Sequence, residues 1–396
     1  MGGGSPTPRS FTADLPDGVV DLITFSAQGE DWVCAAGGSR VHLLTQEGRF
    51  HGSFRTDGPI RVLCWWDVHQ LLLVGCKDEK VIAFDLEGRQ KWTFVSEMHP
   101  DVYRAGKTYW FKSARGHEGI HGLHTGYFQN GMSQAFVGSA CTLEILNEEG
   151  KLVERLPVFW GPGSRFALIR STKGGTDLLI ARQPTDSHSL AVVNSRTLDT
   201  TRRGFYGVPD GHTYIGGWAS MSRKHILYDD LDGDRVKEVV SEINGTWNRV
   251  TVWGENGSAQ YNANFGPGKR IPAGNMRDLD IGDLDGNGTK EILAATSKGL
   301  VVALDAQCNR VWSRRLPSPP TVLAYVHANG APWVVAGSEG GSITVFDGAG
   351  SVSGSGKVSG NPTCIQSVHN GVIVATDAGV LTRLRVGSLD LKEAPP

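Results

Sequence analysis

Eight times along the chain a short apolar run closes on a polar turn: VHLLTQEG (41–48), VIAFDLEG (81–88), LEILNEEG (143–150), LAVVNSRT (190–197), VTVWGENG (250–257), VVALDAQC (301–308), ITVFDGAG (343–350) and LTRLRVGS (381–388). A second apolar run ending in small or turn residues precedes each, as in WVCAAG, LLLVG, EILAAT and VIVAT. A repeat of this period constrains the fold more than any local signal, because one unit cannot bury its apolar face alone. Runs this short, rich in Val, Ile and Leu and bounded by Gly, Asn and Asp, are buried strands joined by tight turns. The second unit shows four of them in PIRVLCWW, LLLVGC, VIAFD and RQKWTFV. The expectation is an all-β chain: a single β-propeller of eight blades, each of four antiparallel strands, with seven blades as the alternative.

Residues 13–396 are expected to form this one domain, with residues 1–12 as a flexible N-terminal segment or tag. The ring closes either by contact of the last unit with the first or by the N-terminal segment adding a strand. The opening MGGGSPTPRSF lacks the apolar centre of a secretory signal. No apolar run reaches the roughly 18 residues of a bilayer helix, so no membrane span is expected. The formal net charge of −2 supplies no basic field for nucleic acid. Six cysteines show no CxxC-type spacing. Buried free thiols are expected, with a Cys64–Cys76 bridge across one hairpin as the alternative.

Two units carry acidic loops of one design, DDLDGDRVKEVV (229–240) and GDLDGNGTKEIL (282–293). Asp230, Asp232, Asp234 and Glu238 in the first match Asp283, Asp285, Asn287 and Glu291 in the second. Oxygen ligands at this spacing suit a hard cation, so two structural Ca²⁺ sites are expected, each between the first and second strands of its blade.

Successive units are 38 to 51 residues apart except from 81 to 143 and from 190 to 250. Both excesses fall between the last strand of one blade and the first of the next, so they emerge on one face, opposite the acidic loops; long connections on a rigid scaffold are where function concentrates. The first insertion (95–118) leads into ARGHEGIHGLHTGYF (114–128), the second spans 202–224. With the neighbouring connections they offer Trp110, Trp160 and Trp218 beside Arg115, Arg165, Arg223, Lys224, Lys269, Arg270 and Arg277. Rings stack on the apolar face of a sugar and arginine forks a carboxylate, so an anionic polysaccharide is the expected ligand. The candidate catalytic groups are His117, His121, Tyr206, His212, Tyr214 and Arg203. A cation beside a uronate carboxylate acidifies the C5 proton, a histidine or tyrosine removes it, and a tyrosine or water protonates the leaving oxygen, which is β-elimination. His121 and His124 have opposite strand parity, so zinc would have to recruit His212, Cys141 or a loop carboxylate. The alternative function is a non-catalytic propeller that binds an anionic glycan or a protein partner through the same face.

These features also carry resemblances. Trp92 and Trp312, four residues after turn positions Gly88 and Cys308, resemble the docking tryptophans of quinoprotein-like propellers. The acidic loops resemble the calcium loops of FG-GAP repeats, in two units only. The His, Tyr and Arg set at one mouth is similar to that of propeller-fold polysaccharide lyases such as the ulvan and rhamnogalacturonan lyases. Together these resemblances imply a secreted, calcium-bearing carbon–oxygen lyase, extracellular or periplasmic; a monomer is expected.

Overall fold

The computed structural model describes residues 11–106, 117–159, 161–182, 190–200, 222–245, 248–265 and 274–387. The strands fall into eight antiparallel sheets, each built from strands consecutive in sequence apart from the last. We letter the strands of a blade A to D from the axis outward. Blades 1 to 7 span 21–55, 60–95, 122–157, 163–194, 227–264, 276–315 and 320–357. Blade 8 takes its A to C strands from 362–385 and its D strand from Thr12–Asp14. Blade 4 shows its A to C strands among the described residues. The eight-bladed expectation holds.

Of the two closures open in the sequence, the N-terminal strand is the one realised. Thr12–Asp14 pairs with the C strand Val380–Arg385, Thr12 opposite Thr382 and Asp14 opposite Val380. The first and last stretches of chain thus share one sheet, and the ring has no open seam. Strand burial follows position. B and C strands such as Leu71–Cys76 and Arg249–Gly254 are buried along their whole length, which is why they read as continuous apolar runs. D strands such as Gln90–Val95 and Val352–Lys357 alternate exposed and partly buried residues, because one face meets water. Eight apolar clusters fill the eight seams between neighbouring blades, the last joining Leu22 and Val33 of blade 1 to Ile373 and Leu381 of blade 8.

The turn glycines of the repeat have a packing reason. Gly48, Gly88, Gly150 and Gly350 close C–D turns with φ between 74° and 84°, where a side chain is strained. Each also has an aromatic ring of the preceding blade over it: Phe11, Phe54, Trp92 and Trp312, at distances that leave no room for a Cβ. Trp92 Nε1 donates to Glu148 O at 2.9 Å and Trp312 Nε1 to Gly348 O at 3.0 Å, so both tryptophans bridge a seam as expected. All six cysteines are free thiols; Cys64 faces Leu73 across its hairpin and Cys76 faces Ile60, so the hairpin bridge does not form. A short helix, Pro100–Gly106, lies in the first insertion and seats Val102 on Cys141 of blade 3. The strand-only reading of the sequence had no place for it.

Candidate functional site: the axial mouth

Each A strand starts at the face reached by the D-to-A connections, and the first residues of the eight A strands surround an axial cavity of about 700 Å³. Arg61, Arg277, Thr321 and Thr363 are each the second residue of their A strand, and His121, Lys224 and His225 stand just before theirs. The repeat therefore brings the start of every blade to a single mouth. Charge is distributed unevenly around it. Blades 2 to 6 contribute Arg61, His121, Arg165, Lys224, His225 and Arg277, blades 1 and 6 the carboxylates Asp21, Asp278 and Asp280, and blades 7 and 8 hydroxyl and amide groups.

Among the described residues Arg61, Arg165 and Lys224 have no carboxylate in direct ion-pair contact, although the charge of Glu118 acts on Arg61 and that of Arg165 on Asp21. Arg61 Nη1 lies 3.4 Å from Ile120 O and Arg165 Nη1 3.0 Å from Ser164 O, which leaves most of each guanidinium unused. Arg277, by contrast, pairs with Glu339 at 2.5 Å. Asp21 accepts the Leu63 N–H at 2.7 Å from the next blade. Burial raises its pKa, opposed by the charge of Arg165 and by the Leu63 and Leu22 N–H groups.

His225 stands between blades 5 and 6, with Nδ1 3.2 Å from Glu242 Oε1 and Nε2 3.1 Å from Asp278 Oδ1. Burial alone would lower its pKa, but the charge of Glu242 and the contacts with Asp278 and Glu242 outweigh that and hold it at about 9. His225 is thus a cation at neutral pH. Asp278 and Asp280 accept the Leu323 and Tyr325 N–H groups of blade 7 at 2.7 and 2.6 Å, so they stitch the next seam as well. Burial, partly offset by the Tyr325 and Ile281 N–H groups, raises Asp280 to about 6.

The three histidines of the 117–124 stretch do separate jobs. His117 accepts the Gly119 N–H on Nδ1, and its Nε2 meets Ser96 Oγ at 3.0 Å. Ser96 in turn donates to the buried Glu144, which also takes the Glu97 N–H and the Arg155 Nε–H. His117 therefore ties the end of the first insertion to its start, away from the cavity. His121 lines the mouth, and its buried Nε2 has no hydrogen-bond partner among the described residues. Burial, with Arg61 and His117 nearby, pushes its pKa down to about 3. His124 packs between the rings of Phe136 and Phe166, and burial lowers it to about 4. The parity difference seen in the sequence sends His121 and His124 in different directions.

Of the other expected mouth residues, Arg165 and Arg277 line the cavity. Arg223 does not: it is 1% exposed, with Nη1 donating to Glu242 O at 3.0 Å and its guanidinium over the Trp253 ring. Burial pulls its pKa to about 9. Its place is inside the seam of blades 4 and 5, so the expectation that it meets substrate is corrected. Trp110, Arg115, Trp160, Arg203, Tyr206, His212, Tyr214, Trp218, Lys269 and Arg270 lie outside the described residues. Asp21, Arg61, His225 and Asp278 were not singled out from the sequence, although their register at the A-strand starts was available to find them.

The acidic loops lie between A and B strands, on the face opposite the mouth. Asp230, Asp232 and Glu238 each bring a carboxylate oxygen within 4.8 Å of the others, and Asp283, Asp285 and Glu291 do the same. Asp234 Oδ1 accepts the Val236 N–H and Asn287 Oδ1 that of Thr289. Burial raises Glu238 and Glu291, opposed by the Leu231 and Leu284 N–H groups and reinforced by the neighbouring aspartates. An all-oxygen set under mutual repulsion fits a hard cation.

A propeller with a polar, cation-rich mouth is the class these observations define. A sequence profile of the lambda-carrageenase beta-propeller domain matches residues 271–358, from the start of blade 6 into blade 7 and its exit. Among curated proteins compared by sequence, none matches. Solved structures with the same fold include the computationally designed Ika8 protein, at 14% identity and TM-score 0.66, covering 94% of this chain and 98% of that one. BamB from Moraxella catarrhalis is similar at 13% identity and TM-score 0.63, covering 95% and 98%. Saccharomyces cerevisiae Sqt1 is similar at 14% identity and TM-score 0.65, with the same coverage. At such identities the likeness is one of fold.

Proposed function

We propose that the protein binds an anionic polysaccharide at the axial mouth on the D-to-A face. The observation that carries this reading is the trio Arg61, Arg165 and Lys224, at the A-strand starts of blades 2, 4 and 5, lining a cavity with no carboxylate in direct ion-pair contact among the described residues. Cations left unpaired at a concave site are poised for carboxylate or sulfate, where charge-assisted hydrogen bonds are strongest. The carrageenase-type match supports a carbohydrate ligand. Extracellular or periplasmic placement and a monomeric state go with this reading, as do two Ca²⁺ ions that stiffen the opposite face.

Cleavage by β-elimination is the second reading. His121 favours it, since a neutral imidazole beside Arg61 whose buried Nε2 has no hydrogen-bond partner among the described residues can take a proton once a bound carboxylate raises its pKa and a substrate reaches it. Tyr206, His212, Tyr214 and Arg203 remain the other candidates. Elimination needs a uronate, so a sulfated galactan would be bound without it. Calorimetric titration with polygalacturonate, ulvan, carrageenan and a neutral glucan tests both readings. Binding of the anionic polymers alone, weakened about tenfold or more by Arg165→Gln, is expected. Failure to bind any of them overturns the proposal. A rise in ultraviolet absorbance from an unsaturated uronate product selects elimination, and its absence with binding intact selects the binding module.

A further inference from the structure

The cavity has a second wall whose chemistry differs from the first. Blades 7 and 8 supply Thr321, Thr363, Gln366 and Ser367. Their donors are already committed to neighbouring blades. Thr321 donates to Pro362 O at 2.7 Å, Thr363 to Val19 O at 2.9 Å, and Ser367 to Tyr325 O at 2.6 Å. Gln366 Nε2 donates to Leu22 O at 3.1 Å. Apart from one remaining amide N–H on Gln366, this wall offers a ligand only acceptors: three hydroxyl lone-pair sets and Gln366 Oε1. Arg61, Arg165 and Lys224 on the other side offer only donors, and the lining carboxylates Asp21, Asp278 and Asp280 already accept the Leu63, Leu323 and Tyr325 N–H groups.

A ligand that satisfies both walls carries anionic acceptors on one edge and hydroxyl donors on the opposite edge. Inorganic sulfate has no donors and a neutral sugar has no anion, so each leaves one wall unmatched, and unmatched polar groups are costly once water is displaced. A sugar residue bearing carboxylate or sulfate matches both. The cavity is also ringed by the A-strand starts, or the residues leading into them, of all eight blades, with a volume of about 700 Å³. That is in the size range of small-molecule sites, about 300–1,000 Å³. A polymer cannot pass sideways through a ring of strands.

Resting on the proposed function, we infer that the cavity takes the terminal acidic residue of a saccharide end-on, so that the protein reads chain ends. Titrating size-fractionated carrageenan oligosaccharides and oligogalacturonates, from disaccharides to long oligomers, tests this. One protein per chain at every length, with molar affinity constant within about threefold, is expected, because no second subsite adds avidity. Stoichiometry that rises with chain length means side-on binding; it overturns the inference and leaves anionic-glycan binding standing. No binding by any acidic oligosaccharide overturns both. A competition at constant ionic strength isolates the acceptor wall: excess sodium sulfate is expected to leave the bound disaccharide in place, and displacement by sulfate overturns the two-wall argument.

Discussion

His225 Nε2 lies 3.1 Å from Asp278 Oδ1 while its Nδ1 faces Glu242 at 3.2 Å, so one imidazole joins blades 5 and 6 at the wall of the axial cavity. Since its pKa in the fold is about 9 against roughly 6.5 unfolded, its contribution to stability is complete below the unfolded value and is lost as pH rises through about 9. Urea unfolding between pH 7.5 and 10 is expected to show this alkaline loss in the wild type and a flatter profile in His225→Asn. Equal slopes would remove His225 from the account.

His124 titrates with the opposite sign. Its pKa falls to about 4 between Phe136 and Phe166, so the stabilisation from keeping it neutral is present above roughly pH 6.5 and declines as pH drops toward 4. Between pH 7 and pH 5 the wild type is expected to lose on the order of 2 kcal/mol through this group. His124→Leu is expected to lose less over the same interval, each protein being compared with itself at pH 7.

The propeller architecture was legible because B and C strands are buried on both faces, and that burial writes an apolar run into every unit. Closure through Thr12–Asp14 was open in the sequence as one of two possibilities, since a three-residue strand carries too little pattern to choose. The D-to-A face was legible from unit spacing. Which residues reach the axis was harder to read: Arg61 and His225 sit in no unusual motif and owe their position to the register shared by all A strands. Arg223 misled because an arginine beside a glycine- and aromatic-rich insertion looks solvent-bound, whereas Trp253 and the Glu242 carbonyl hold it inside a seam.

Deleting residues 1–14 removes the D strand of blade 8 and the Phe11 ring over Gly48. The C strand Val380–Arg385 then becomes an open edge. The expected cost is about 2–4 kcal/mol in chemical denaturation, with blade 8 amides exchanging first. Unchanged stability would show that the ring does not depend on this strand.

Chelation tests the acidic loops. If Asp230, Asp232 and Glu238, and their counterparts Asp283, Asp285 and Glu291, hold Ca²⁺, then EDTA lowers the wild-type Tm by about 5 °C and added Ca²⁺ restores it. The double variant Asp232→Ala, Asp285→Ala is expected to melt at the same temperature with and without the ion. A wild-type Tm indifferent to chelator would contradict the calcium proposal.

The most direct test of the anionic-glycan reading is a crystal structure of the protein soaked with an acidic disaccharide. The account predicts the sugar in the axial cavity, its carboxylate or sulfate within hydrogen-bond distance of Arg165 or Arg61 and its hydroxyls against Thr363 and Gln366. A sugar bound on the acidic-loop face, or on the outer strands with the cavity empty, would contradict it.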